Sequence, residues 1–93
     1  MKKYKAMFII KPELGEEQTK KVLETIKDIF ASRGSKQIKV EEWGTRSLAY
    51  EIDDFTKGYY VLMTLEASSE AVSEYTRICN INENIIRHII VSE

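Results

Sequence analysis

Apolar and polar residues alternate with a period of two in four segments of the chain. This alternation predicts a β-strand in each segment. Two other segments carry apolar residues at helical spacing, and Glu16 and Glu17 suit the positive N-terminal end of the first helix. Ser68 or Ser69 suits the cap of the second helix, and Gly34 the end of the first. The predicted strands are residues 3–10, 36–52, 59–66 and 85–92; the predicted helices are residues 16–33 and a segment from Ser68 or Ser69 that Asn80, Asn82 and Asn84 break.

The order of these elements is βαββαβ. It predicts an α+β protein of the ferredoxin-like type, formed as a single domain by residues 1–93. Right-handed crossovers give a four-stranded antiparallel sheet with the strand order 4-1-3-2 and with both helices on one face. Residues 53–58 are expected to form a loop.

The face of the sheet without helices is predicted to be apolar. A solvated sheet face normally carries polar side chains, and an apolar patch there indicates a partner surface. The alternative is a register error of one residue in a strand, which would move its side chains to the other face. Tyr4, Phe8, Ile10, Tyr59, Val61, Met63, Leu65, Ile86, His88 and Ile90 are assigned to the core; Met7, Ile9, Tyr60, Leu62, Ile85, Arg87, Ile89 and Val91 are assigned to the uncovered face.

Composition narrows the possible functions. The formal net charge of −1 argues against a simple electrostatic grip on nucleic acid. Cys79 is the only cysteine, which fits a reducing compartment. Cys79 and His88 are interpreted as packing residues, so we expect no enzyme. No metal-ligand spacing, phosphate loop, cofactor motif or membrane span occurs, and a mature cytosolic chain is expected.

Basic residues gather at the start of the first strand, where Lys2, Lys3 and Lys5 surround Tyr4. Arg87 lies in the neighbouring last strand, so one basic corner that holds phosphates is predicted. Charged protection of a sheet edge is the alternative. The segment 57–64, "KGYYVLMT", resembles an RNA-recognition signature only weakly. We interpret that match as coincidence, because its Tyr59 and Val61 are expected to point inward.

The segment "EEWGTRSLAYEI", residues 41–52, interrupts its alternation. Gly44 is predicted to allow a β-bulge, with Trp43 covering the bend. Arg46 would then project from the far end of a long hairpin. The alternative for Arg46 is a surface salt bridge to Glu41 or Glu42.

These segments together resemble a known family. "EEWGTRSLAYEI", "KKYKAMFIIKPEL", "KGYYVLMTLEA" and "NENIIRHIIV" are similar, in order, to segments of bacterial small-subunit ribosomal protein six. The resemblance implies the same βαββαβ fold and a structural role, on ribosomes in the cytoplasm. It also implies binding to the central domain of small-subunit ribosomal RNA (rRNA) together with ribosomal protein eighteen. That partner is small and basic, which would compensate for a net charge of −1.

Carried over by position, the resemblance implies functional residues. Ser47 and Glu51 depart from the family pattern, where Arg and Pro are common, and no basic tail follows Val91, so weak RNA affinity is expected for the chain alone. The alternative function is a ferredoxin-like interaction or regulatory domain that oligomerises through its uncovered face. The expected rRNA-binding residues are Lys2, Lys3, Tyr4, Arg46 and Arg87, and the expected partner-protein face is Met7, Ile9, Tyr60, Leu62 and Ile89.

Overall fold

A computed structural model describes residues 2–52 and 55–93. Its strands form one antiparallel sheet in the order β2-β3-β1-β4, which is the predicted order. The βαββαβ topology and the ferredoxin-like fold are therefore confirmed. The elements are β1 (Lys2–Ile10), α1 (Glu16–Ala31), β2 (Lys36–Ile52), β3 (Phe55–Ala67), α2 (Ser69–Ile81) and β4 (Ile85–Ser92).

The hydrophobic core lies between the two helices and one face of the sheet. Phe8, Phe30 and Tyr75 are fully buried there, and the Tyr75 ring packs on Phe30 at a centroid distance of 5.5 Å. The Tyr75 hydroxyl lies 3.2 Å from the carbonyl oxygens of both Met7 and Ile89, which share its single proton. This hydroxyl satisfies its hydrogen-bonding need in the core and joins α2 to both β1 and β4.

Both helices begin as predicted. The Ser68 hydroxyl caps α2 by accepting from the amide of Ala71 at 3.3 Å. Helix α1 ends at Ala31, two residues earlier than predicted, and Gly34 follows with a φ of 73°. Only a glycine adopts that angle without steric cost, so it marks the turn beyond the helix.

Strand β3 begins earlier than expected. The loop prediction is wrong for residues 55–58, which belong to β3 and of which Phe55, Lys57 and Gly58 pair with β2. Asp53 and Asp54 lie outside the described residues. Gly58 is therefore a strand residue. A Cβ at this position would lie 2.2 Å from Cγ2 of Ile9, so the absence of a side chain lets Ile9 cover the backbone.

Strand β4 contains two misassigned residues: Ile85 was expected on the uncovered face, and Ile86 was expected in the core, to which it does not belong. Ile85 pairs with Ile10 and is buried in the core, not on the uncovered face. Ile9 pairs with Arg87 whereas Ile10 pairs with Ile85, so the register shifts between these two residues of β1. The irregularity places an extra residue, Ile86, in β4, and alternation alone could not locate it.

Candidate functional site

The open face, as we name the sheet face away from the helices, contains side chains from all four strands. Strand pairing arranges them in rows that cross the sheet from β2 to β4. Apolar and aromatic side chains occupy the centre of two of these rows, and each of the two has a charged side chain at one end only. One row contains Glu41, Leu62, Met7 and Ile89, and the next contains Gly44, Tyr60, Ile9 and Arg87.

All five residues expected on a partner surface lie on this open face, and they differ in exposure. Ile89 is 53% exposed, as is Val91 two residues later. Met7, Tyr60 and Leu62 are half-buried. Ile9 is only 8% exposed, because it already packs over Gly58 and beside Leu48. Ile9 therefore supports the surface more than it offers area to a partner. That these residues bind a protein remains a prediction.

A shallow cleft opens on the β1–β4 side of this face. Its volume is about 270 Å³, and its apolar lining comes from Met7, Ile9 and Ile89, with Arg87 at the rim. Pockets for drug-sized ligands usually begin near 300 Å³, so this cleft matches a single large side chain better than a small molecule.

The β2 side of the open face carries an aromatic stack. The register of β2 shifts between Glu42 and Gly44, and Gly44 has a φ of 80°, so the predicted bulge is present. The bulge directs Trp43 to the open face, where its ring stacks on that of Tyr60 with an interplanar angle of 9° and a centroid distance of 6.5 Å. Trp43 remains 41% exposed.

Arg46 belongs to the same stack. Its guanidinium carbon lies 5.5 Å from the centre of the Trp43 ring, and its Nε donates to the Trp43 carbonyl at 3.3 Å. Within the described residues, the ion pairs include none from Arg46 to Glu41 or Glu42. The salt-bridge alternative is therefore not seen, and a cation–π contact holds Arg46 over the ring.

The prediction of a single basic corner is wrong. Arg87 pairs with Ile9 near one end of β1, whereas Lys3 lies near the other end, opposite Glu66. Six residues of strand separate the two positions, which corresponds to about 20 Å. The antiparallel direction of β4 causes this separation, because it places Arg87, near the start of β4, beside the end of β1, whereas Lys3 lies at the start of β1.

The two basic groups therefore have different surroundings. Near Lys3, the Lys5 ammonium lies 3.5 Å from a carboxylate oxygen of Glu93, and the amide of Glu93 donates to the Lys3 carbonyl. Tyr4 is half-buried and packs against the core, as expected. Arg87 is exposed and close to the apolar cleft. Lys2 is exposed at the start of β1.

Cys79 and His88 have the environments of packing residues. Burial raises the pKa of the Cys79 thiol to about 12. Burial also lowers the pKa of His88, whose Nε2 lies 3.0 Å from the Asn80 side-chain oxygen. The His88 ring meets Tyr75 edge to face at 6.0 Å. A protonated thiol and a partly buried neutral imidazole lack the activation that nucleophilic catalysis needs.

The part of the chain that the structure describes contains no cluster of three or more side chains able to hold a metal ion. Over those same residues, none of the helices has the length and apolar character to cross a bilayer.

Sequence reasoning missed two features of the open face. It placed Trp43 over a bend but did not foresee its parallel contact with Tyr60, since a bulge changes which side chains are neighbours. It also treated Gly58 as a loop residue. A glycine followed by an alternating strand, with a β-branched residue on the neighbouring strand, could have signalled close packing.

Comparisons with known proteins agree with this fold. The family model described as ribosomal protein S6 matches residues 3–92. A crystal structure of 30S ribosomal protein S6 from Thermotoga maritima superposes with a TM-score of 0.92 and 32% sequence identity. The match covers 99% of this chain and 87% of that one. With nearly its whole length matched in both comparisons, this chain belongs to the ribosomal protein S6 family, whose members are structural proteins of the small ribosomal subunit.

Proposed function

We propose that this chain binds the central domain of small-subunit rRNA, in the cytoplasm, as one half of a heterodimer with the small basic ribosomal protein eighteen. Its role is structural, without a catalytic step or a cofactor. The observation that carries the proposal is the open face, where apolar side chains from three strands remain accessible on a protein with a net charge of −1. Such a surface favours a protein partner that supplies positive charge for RNA.

The partner is proposed to cover Met7, Tyr60, Leu62 and Ile89. Leu62 and Met7 are central in their row, and Ile89 is the exposed end of it. The cleft beside Ile89 would take one apolar side chain of the partner, as interface anchors commonly do.

RNA is proposed to contact residues at two places along the sheet. Lys2, Lys3 and Tyr4 form one group at the start of β1, where only Lys3 belongs to the open face, while Arg87 and Arg46 lie toward the other end of β1. Two separated groups would bind two phosphate positions in place of the one corner first expected, and so fix the orientation of the heterodimer on RNA.

The test of the partner surface uses two isoleucines of similar exposure. Ile89→Asp should weaken the heterodimer by at least tenfold, because it buries a charge in an apolar interface. Ile81→Asp is the matched control, since Ile81 is 63% exposed at the end of α2 and should not affect the heterodimer. Leu62→Asp should act like Ile89→Asp, with circular dichroism to verify folding. Calorimetric titration with the purified partner measures each affinity.

The result also separates the proposal from self-association. If the wild-type chain alone sediments as a dimer that Ile89→Asp dissolves, the open face pairs with itself. If Ile89→Asp and Leu62→Asp both fold and bind the partner as wild type does, the open face is not the interface.

A further inference from the structure

Trp43, Tyr60 and Arg46 form a fixed group on the open face. The rings of Trp43 and Tyr60 are within 9° of parallel. The Arg46 guanidinium lies over the Trp43 ring, and its Nε donates a hydrogen bond to the Trp43 carbonyl. The bulge at Gly44 and the strand pairing of Tyr60 hold these residues without help from any loop. A preorganised group of this kind loses little freedom when a planar ligand binds.

Its position on the sheet is informative as well. Trp43 is the only tryptophan of the chain, and it is exposed. It lies on the open face of a βαββαβ fold. Single-stranded RNA binds such sheets by stacking its bases on aromatic side chains that point outward. The inward-pointing Tyr59 and Val61 could not do this, whereas Trp43 and Tyr60 point outward.

Charge on the open face favours an anionic ligand over a second protein at this point. Arg87 ends the row that contains Tyr60, and Arg46 lies beside the row on the β2 side. Three strand spacings separate the two ends of the row, about 14 Å. Among the described residues, the pairing places six basic side chains and three acidic ones on this face; they are Lys3, Lys5, Lys36, Lys39, Arg46 and Arg87, with Glu41, Glu66 and Glu93.

We propose that Trp43, supported by Tyr60 and Arg46, stacks an unpaired base of RNA at the β2 margin of the open face. This inference rests on the proposed function, because it assigns a base contact to the same RNA-binding protein. Arg46 adds a cation beside the base, and the partner covers the face from Ile89 as far as Tyr60, whose ring borders both contacts.

Fluorescence of the full chain tests the stack directly, because Trp43 is the sole tryptophan. We expect an eight-nucleotide single-stranded RNA to quench its emission at low salt. The matched probe is an abasic ribose-phosphate oligomer of the same length. It carries the same phosphates but no bases, and it should leave the emission unchanged.

Affinity measurements on variants provide the second arm. Trp43→Leu should weaken binding of the RNA oligomer by about tenfold, as loss of one stacking contact does. Trp43→Phe should restore most of that loss, because it keeps an aromatic face. Ile81→Ala is the control variant, since Ile81 is exposed on α2 and remote in the fold from the stack.

The outcomes distinguish this inference from the proposed function. Equal quenching by the abasic oligomer, or unchanged RNA affinity in Trp43→Leu, overturns base stacking. So does shielding of Trp43 from acrylamide by the partner protein alone, which would assign the stack to the protein interface. Heterodimer formation, tested separately with Ile89→Asp, decides the proposed function whichever of these results is obtained.

Discussion

At Gly58 the backbone faces the Cγ2 methyl of Ile9, which lies 2.2 Å from the place that a Cβ would take. Ile9 is β-branched, which restricts its χ1 rotamers, so it cannot easily turn aside. Gly58→Ala should therefore lower the free energy of unfolding by about 1–3 kcal/mol. Urea denaturation of the variant measures the change.

A second substitution tests the cause of that loss. In an Ile9→Ala background the obstructing methyl is absent, so Gly58→Ala should cost much less there than in the wild type. An equal cost in both backgrounds would mean that strand conformation, and not the contact with Ile9, requires glycine.

The buried hydroxyl of Tyr75 also has a testable role. Tyr75→Phe keeps the ring that packs on Phe30 but leaves the Met7 and Ile89 carbonyls without this donor. The loss should be about 0.5–1.5 kcal/mol by thermal or urea unfolding. A variant as stable as wild type would show that the two carbonyls need no donor from α2.

Cys79 makes stability depend on pH. Its folded pKa of about 12 exceeds the unfolded value of about 8.5. The stability that the buried thiol contributes is complete below the unfolded pKa, and it is lost as the pH rises toward the folded pKa. Between pH 9 and 10 the loss from this group should approach about 1.4 kcal/mol per pH unit.

Cys79→Ala is the comparison for that titration. It should be less stable at neutral pH, because it leaves a gap in the core, and its unfolding free energy should vary less between pH 9 and 10. Parallel pH profiles for the two proteins would contradict a role for the thiol.

At the scale of elements, the bulge in β2 decides where Trp43 points. Gly44 has a φ of 80°, and a Cβ there would meet nothing within 4 Å, so only backbone strain opposes a side chain. Gly44→Ala should cost about 1–2 kcal/mol of stability. Gly44→Asn should cost less, because asparagine tolerates this region better. Near-ultraviolet circular dichroism would report whether Trp43 and Tyr60 stay parallel.

Elements whose residues alternate cleanly were predictable from the sequence, while irregular ones were not. Strand β1, both helices and the bulge at Gly44 followed from periodicity and from residue preference. The extension of β3 to Phe55 did not follow, because Lys57 and Gly58 are weak strand residues that pairing with β2 holds in place. The face of Ile85 was missed for a related reason, since the second bulge carries no glycine to mark it.

The whole molecule separates its basic residues along β1. Lys3 and Arg87 lie about 20 Å apart, beyond the screening length of about 8 Å in physiological salt. Lys3→Gln and Arg87→Gln should each lower the salt dependence of rRNA binding by the heterodimer by about one unit of slope. The two effects should add in the double variant. Strong non-additivity would mean that both residues contact one phosphate group.

The open face could be predicted as apolar because both parities of β1 and β3 carry large apolar residues. The positions of its functional side chains relative to one another could not be predicted, since they depend on which residues pair across strands. The register brings Trp43 beside Tyr60 and takes Lys3 away from Arg87. Pairwise register is a property of the whole sheet, and a single strand's sequence does not contain it.

The hydrogen bonds from Tyr75 have a consequence for recognition. Met7 and Ile89 present their side chains on one side of the sheet, while the helix behind fastens their carbonyls. The shape of this surface is therefore fixed before a partner binds, and the protein loses little conformational entropy on binding. Changes in the core behind these two residues would then alter affinity without touching the contact surface.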